Sequence, residues 1–247
     1  ITSDVTSLKA GESAGLTFTL SEESTDFVEA DITASGGTIT GFSGSGTSYT
    51  ATFTPDESSA SDGVISVSAS AFSDAAGNEN DVASNTITLS VDTIPPEAPV
   101  ITTTTSSTSS TTPSIEGTAE AGSTVTLFID GRSAGVNTTA DVVTGAYTIT
   151  AVSGLVDGTY SFTVKATDSG GNTSSSSSEL LITVDTVPPV QPSITTISAD
   201  FDIKDSTPTI EGTAEAGSTV ELLNGDVSLG TAAADSINGN FSITSSK

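Results

Sequence analysis

Apolar and polar residues alternate along this chain in short runs broken by turn-forming residues. In the first hundred positions the apolar members are Leu16-Phe18-Leu20, Tyr49-Ala51-Phe53, Ile65-Val67-Ala69 and Ile87-Leu89-Val91. Further on come Val125-Leu127-Ile129, Tyr147-Ile149, Tyr160-Phe162-Val164 and Leu181-Val184. A period of two, interleaved with Thr and Val and punctuated by Gly, Asp, Asn and Ser, predicts half-buried antiparallel strands. No segment keeps an i, i+3, i+4 apolar pattern, so no substantial helix is expected.

The chain also repeats itself. IEGTAEAGSTV at Ile115–Val125 recurs unchanged at Ile210–Val220. VDTIPP at Val91–Pro96 returns as VDTVPP at Val184–Pro189, and DAAGN at Asp74–Asn78 returns as DSGGN at Asp168–Asn172. The three offsets agree on a period near 94 residues, the signature of tandem units. Pro-Pro cannot continue a sheet ladder and favours extended backbone, so the Val-Asp-Thr-x-Pro-Pro phrase reads as a short, stiff linker. The expected units are 1–94, 95–187 and a partial one at 188–247 that lacks its last two strands. About seven strands in ~94 residues is the size of an immunoglobulin-like sandwich. The fold class predicted is all-β, with tandem immunoglobulin-like β-sandwich domains in an elongated array.

Charge narrows the function. Five basic residues face 31 acidic ones, a formal net charge of −26. Nucleic-acid binding needs Lys and Arg to displace counterions, and anionic membranes repel such a surface. Self-repulsion of this size opposes compaction unless cations neutralise it, although solubility alone also explains acidic surfaces. With no Cys, no disulfide staples the small cores. With no His either, Ser–His–Asp and Cys–His nucleophiles and His- or Cys-bound zinc are excluded. A two-carboxylate glycosidase would need a cleft with aromatic platforms, and aromatics are 5% of the chain, so no enzyme is expected. No apolar run approaches the ~20 residues of a membrane helix, and no basic and apolar leader opens the chain. It reads as a piece of something longer.

The phrases VDTxPP, GTAEAGSTV and DxxGN resemble the bacterial Ig-like (BIg) repeats of large type I-secreted (RTX and biofilm-associated) surface adhesins. The first unit, with LKAGES, TFTLSEE and SDAAGN, resembles a second subtype of the same superfamily. The resemblance implies an extracellular rod at the bacterial cell surface, working in cell adhesion or biofilm formation, with calcium at or near the domain junctions.

Alternating strand directions put the second unit's B–C turn, its F–G turn and the incoming linker at one pole. Glu120, Asp168 and Asn172, and the linker's Asp92, converge there. Ca²⁺ takes six to eight oxygens from carboxylates, carbonyls and water. The same logic gives the first unit Glu22, Glu23 and Asp31 on the B–C side, and Asp74 and Asn78 on the F–G side. Asp185 and Glu215 mark the next junction, and Asp200, Asp202 and Asp205 form a further acidic triplet. Asp, Gly and Asn are also ordinary turn formers, so joint recurrence at one pole carries the calcium expectation. The expected partners are calcium ions and neighbouring domains of a longer chain, with no nucleic acid and no direct membrane insertion. Three roles follow: an extender that projects a distal binding module; a ligand-binding domain for a glycan, peptide or host surface, with Gly36–Thr50 as its exposed loop; or an accessory sandwich of a secreted polysaccharide-degrading enzyme.

Overall fold

The computed structural model describes residues 1–152, 154–197 and 207–246. Asp200, Asp202 and Asp205 lie outside the described residues. The chain forms two compact units, Ile1–Asp185 and Thr186–Lys247. No helix among the described residues is long and apolar enough to cross a membrane.

The first unit contains two sandwiches. In the first, β1 (Thr2–Ser3), β2 (Ser7–Lys9), β3 (Ala14–Ser24), β4 (Ile32–Ser35), β5 (Gly37–Pro55), β6 (Gly63–Val67) and β7 (Ile87–Asp92) make two sheets. One has the order β1-β3-β5 and the other β2-β7-β6-β4. β2 runs parallel to β7 with Lys9 opposite Asp92, which puts both residues at the exit end of the sandwich. Leu16, Phe18, Phe53, Ile65 and Leu89 are buried between the sheets, as their alternation requires. Phe27 extends that core through ring contacts to Phe18, Phe42, Tyr49 and Phe72, with centroids 4.9–5.8 Å away.

Two expectations change here. Ala69 is exposed, because β6 ends at Val67. Gly36–Thr50 is not a loop but falls almost wholly within β5, which pairs with β3 as far as Ser24 opposite Gly46. Glycine at positive φ (Gly41, Gly44, Gly46) lets this segment fold back on itself, so that the Asp56 N–H donates to the Gly36 carbonyl (3.0 Å) and the Ser43 and Thr50 hydroxyls lie 3.4 Å apart.

The second sandwich contains β8 (Val100–Ile101), β9 (Ser107–Thr108), β10 (Ser114–Thr118), β11 (Thr124–Ile129), β12 (Arg132–Thr139), β13 (Ala146–Thr150), β14 (Gly158–Thr167) and β15 (Leu180–Val184). Its sheets have the orders β13-β10-β8 and β12-β11-β14-β15-β9. Ile115, Val125, Leu127, Phe162, Val164 and Ile182 form the core. In β15 the inward residues are Ile182 and Val184, while Leu181 is 54% exposed, so the expected pairing of Leu181 with Val184 on one face is corrected. Alternation puts positions two apart, not three apart, on the same face.

The repeated motif owes its glycine to a close approach. Gly117 on β10 lies opposite Tyr147 on β13. A Cβ there would stand 2.0 Å from the Val100 carbonyl oxygen and 2.4 Å from the Tyr147 hydroxyl. The aromatic ring fills the space that the glycine leaves.

In the second unit, β16 (Ser193–Ile197), β17 (Thr209–Thr213) and β20 (Asn240–Thr244) form one sheet, and β18 (Thr219–Asn224) pairs with β19 (Val227–Ala233). Gly212 lies opposite Phe241, the same device as Gly117 and Tyr147. Val220, Phe241 and Ile243 make a small core. Among the described residues β18 pairs with β19 alone, whereas its counterpart β11 pairs with both β12 and β14.

Candidate functional site

The turn after β14 meets the exit end of the first sandwich. Its backbone closes on itself: the Asp168 N–H donates to the Asn172 carbonyl (3.0 Å) and the Gly171 N–H to the Asp168 carbonyl (3.3 Å). The Asp168 carboxylate caps the turn from inside. One oxygen accepts from the Asn172 backbone N–H (2.8 Å), the other from its side-chain Nδ2 (3.0 Å). Gly171 sits at φ +87°, a conformation that glycine adopts without a Cβ penalty.

Asn172, 3% exposed, then reaches across to the first sandwich. Its Oδ1 accepts from the Ala10 backbone N–H (2.9 Å), and its Nδ2 donates to the Asp92 carbonyl (3.0 Å). The first sandwich is shaped for this. The Glu12 N–H donates to the Lys9 carbonyl with Gly11 at φ +80°, a type II turn that leaves the Ala10 N–H free to point outward. The Glu12 carboxylate takes the Lys9 N–H and lies 3.9 Å from its ammonium. Lys9 also lies over Gly171: a Cβ there would stand 3.2 Å from its Nζ.

Each residue of the Val-Asp-Thr phrase has a separate task. Val91 is in the core. Asp92 offers its carbonyl to Asn172, accepts from the Ile94 N–H (3.2 Å), and brings Oδ2 to 2.8 Å from where a Gly170 Cβ would be. Thr93, buried, donates from its hydroxyl to the Asp56 carbonyl and accepts the Ser59 N–H, both at 2.8 Å. The linker is therefore fastened to the first sandwich before it reaches Pro95 and Pro96.

Of the residues expected at this pole, Asp92, Asp168 and Asn172 come together. Glu120 lies in the β10–β11 turn, where its carbonyl accepts from Ser123, and it borders a separate depression with Glu97 and Val100. The Asn172 nitrogen, not its oxygen, faces the Asp92 carbonyl and the Asp168 carboxylate, so two N–H bonds stand between oxygens that a cation would otherwise draw together. Among the described residues no three acidic side chains gather as a metal cage.

In the first sandwich, Asp74 and Asn78 form the equivalent turn. Asp31 turns back to accept the Val28 N–H (2.8 Å) and caps a single 3-10 turn. Glu22 and Glu23 border a cleft of about 500 Å³ floored by Phe18, Phe27 and Phe72. Asp185 ends β15's ladder, its N–H donating to the Thr108 carbonyl. Glu215 belongs to the second unit, where its carboxylate accepts the Val190 N–H (3.2 Å).

Sequence reasoning missed Ala10, Lys9 and Asp26. Ala10 acts through its backbone and leaves no mark beyond the Lys-Ala-Gly-Glu turn. Asp26 binds Ser24 and both the N–H and hydroxyl of Ser73, which holds the Asp74–Asn78 loop to β3. These bonds, led by the Ser73 hydroxyl, hold its carboxyl below the ordinary aspartate value.

Among solved structures, the chain is similar to the fibronectin(III)-like modules of CbhA from Clostridium thermocellum, with 17% identity and a TM-score of 0.39 over 74% of this chain and 93% of that one. It is also similar to the BSP domain of a biofilm associated protein (17%, 0.30, 73% of this chain and 29% of that one). A third likeness is to adhesin InvE of Yersinia pseudotuberculosis (13%, 0.29, 84% and 65%). No curated protein matches the sequence. Two family models, each described as a bacterial Ig-like domain, match residues 1–91 and 101–186. With two sandwiches in tandem at those positions, the chain belongs to the bacterial Ig-like domain family.

Proposed function

We propose that this chain is an extender segment of a bacterial surface adhesin, non-catalytic and extracellular, whose Ig-like domains are joined at fixed angles so that the array projects a distal binding module. The observation that carries this reading is Asn172, a buried carboxamide that takes an N–H and a C=O from the preceding sandwich. A hydrogen-bonded turn on one side and a fastened linker on the other restrict hinge motion, which a projecting rod requires and a flexible tether does not.

Calcium would add to this junction. The donor chemistry suits a hard cation, since Asp92 and Asp168 supply carboxylates beside backbone carbonyls. Bound there, calcium would supply charge neutralisation and a further cross-link.

The test is a thermal melt of the intact chain in excess EGTA, in millimolar CaCl₂ and in MgCl₂. Binding to the folded state raises stability by about 2.7 kcal/mol per site at a hundred times Kd. A calcium-specific rise that is lost in both Asp92→Ala and Asp168→Ala supports a calcium-stiffened extender. An equal response to magnesium, or none, removes calcium from the reading and leaves the hydrogen bonds of Asn172 to hold the junction.

A further inference from the structure

The Asp74–Asn78 turn of the first sandwich reproduces the Asp168–Asn172 turn bond for bond. The Asp74 N–H donates to the Asn78 carbonyl (2.9 Å) and the Gly77 N–H to the Asp74 carbonyl (3.1 Å). Asp74 accepts from the Asn78 backbone N–H and from its Nδ2, both at 2.8 Å. Gly77 stands at φ +86° and Gly171 at +87°. What differs is the occupancy. Asn172 is buried under Ala10, Lys9 and Asp92, whereas Asn78 is exposed. Its Oδ1 and second amide hydrogen have no partner among the described residues, and nothing lies within 4 Å of a Cβ built on Gly77.

We infer that the Asp74–Asn78 turn is a socket for the exit pole of another Ig-like domain, one that offers a backbone N–H and C=O to the Asn78 carboxamide and a basic side chain beside Gly77. The inference rests on the extender reading of the Asn172 junction. Three further features fit the occupant. The socket is set before anything binds: Asp26 ties Ser73 to β3, and isolated bridges join Ser24 to Asp74 and Ser73 to Glu79. A preformed socket loses little conformational freedom on docking. Its surroundings are acidic, with Glu22, Glu23 and Glu79 on the rim of the adjoining cleft. Where the equivalent turn is filled, the filling residue beside its glycine is a lysine, Lys9. Among the described residues the occupant of this turn geometry is thus the Lys-Ala-Gly-Glu pole of a sandwich, with the strand end at Asp92 beside it.

The experiment uses the full chain extended at its N-terminus by a second copy of residues 1–99, which supplies that pole together with its linker. The native sequence has no cysteine, so spin-label pairs can be placed across the added junction and across the original one. Distance distributions from electron–electron resonance are expected to be narrow at both. Asn78→Ala should broaden the added junction alone, and Asn172→Ala the original alone. Ala10→Pro in the added copy removes the donor N–H without touching the socket, and should also broaden only the added junction. A broad, variant-insensitive distribution at the added junction beside a narrow original overturns the socket. A broad distribution at the original junction overturns the extender reading, and the socket with it.

Discussion

Replacing Ala10 with proline in the native chain isolates one atom of the junction. The Lys9–Glu12 turn has its glycine at the third position and Ala10 at the second, where proline's fixed φ is favoured in a type II turn, so the first sandwich keeps its fold. What is lost is the N–H that Asn172 Oδ1 accepts at 2.9 Å, and the proline ring carbon takes the place of that hydrogen. A single hydrogen bond contributes about 0.5–1.5 kcal/mol net. The ring also pushes the carboxamide away, which takes the neighbouring bond to the Asp92 carbonyl with it. Both together amount to roughly 1–3 kcal/mol, a 5- to 150-fold shift toward the open junction. The assay is hydrogen exchange of the Asn172 side-chain amide by NMR. Exchange should accelerate by that factor in Ala10→Pro and stay near native in Ala10→Gly, while core amides of the first sandwich remain protected. Unchanged exchange of the Asn172 amide in Ala10→Pro would refute the claim that this bond holds the two sandwiches.

Three other outcomes follow from the structure. Gly117→Ala puts a Cβ 2.0 Å from the Val100 carbonyl, and overpacking of this kind costs about 1–3 kcal/mol, so denaturant unfolding should show a destabilised second sandwich; an unchanged midpoint would mean that β8 yields freely. Asp26 and Asp74 have carboxyls held below the usual value, by Ser73 and by Asn78 respectively. Their stabilisation is complete above the unfolded value of about 3.9 and is lost as pH falls through the lower folded value, so Asp26→Asn should flatten the acid limb of a melting-temperature profile below about pH 4. Burial pushes the Tyr147 hydroxyl up to about 12, and it donates to the Val100 carbonyl at 3.3 Å. Its contribution is full below about pH 10 and falls as pH rises toward 12, so Tyr147→Phe should soften the alkaline loss of stability.

Much of this was legible in the chain. Strand positions, the tandem sandwiches and the Asp168–Asn172 turn follow from alternation and repetition, because a two-residue period and turn chemistry are local properties. Leu181 was misread because three-residue spacing crosses the sheet, and Gly36–Thr50 because glycine and serine in a strand that folds back on itself look like a loop. Asp92, Asp168 and Asn172 could be grouped from strand direction alone, since each sits at the end of an element whose direction the alternation sets.

What only the tertiary structure decided is how those residues meet. Composition and turn chemistry pointed to this pole; the fold adds that the Asn172 carboxamide lies in it, its nitrogen bonded to the Asp92 carbonyl and the Asp168 carboxylate and its oxygen to the Ala10 N–H. Ala10 contributes a backbone atom, which any residue but proline supplies, so its side chain carries no sign of the role. The sequence determined that there are sandwiches in tandem, since these rest on patterns within one segment. Which atoms join one sandwich to the next depends on residues 162 positions apart brought to 2.9 Å, and no local pattern encodes that distance.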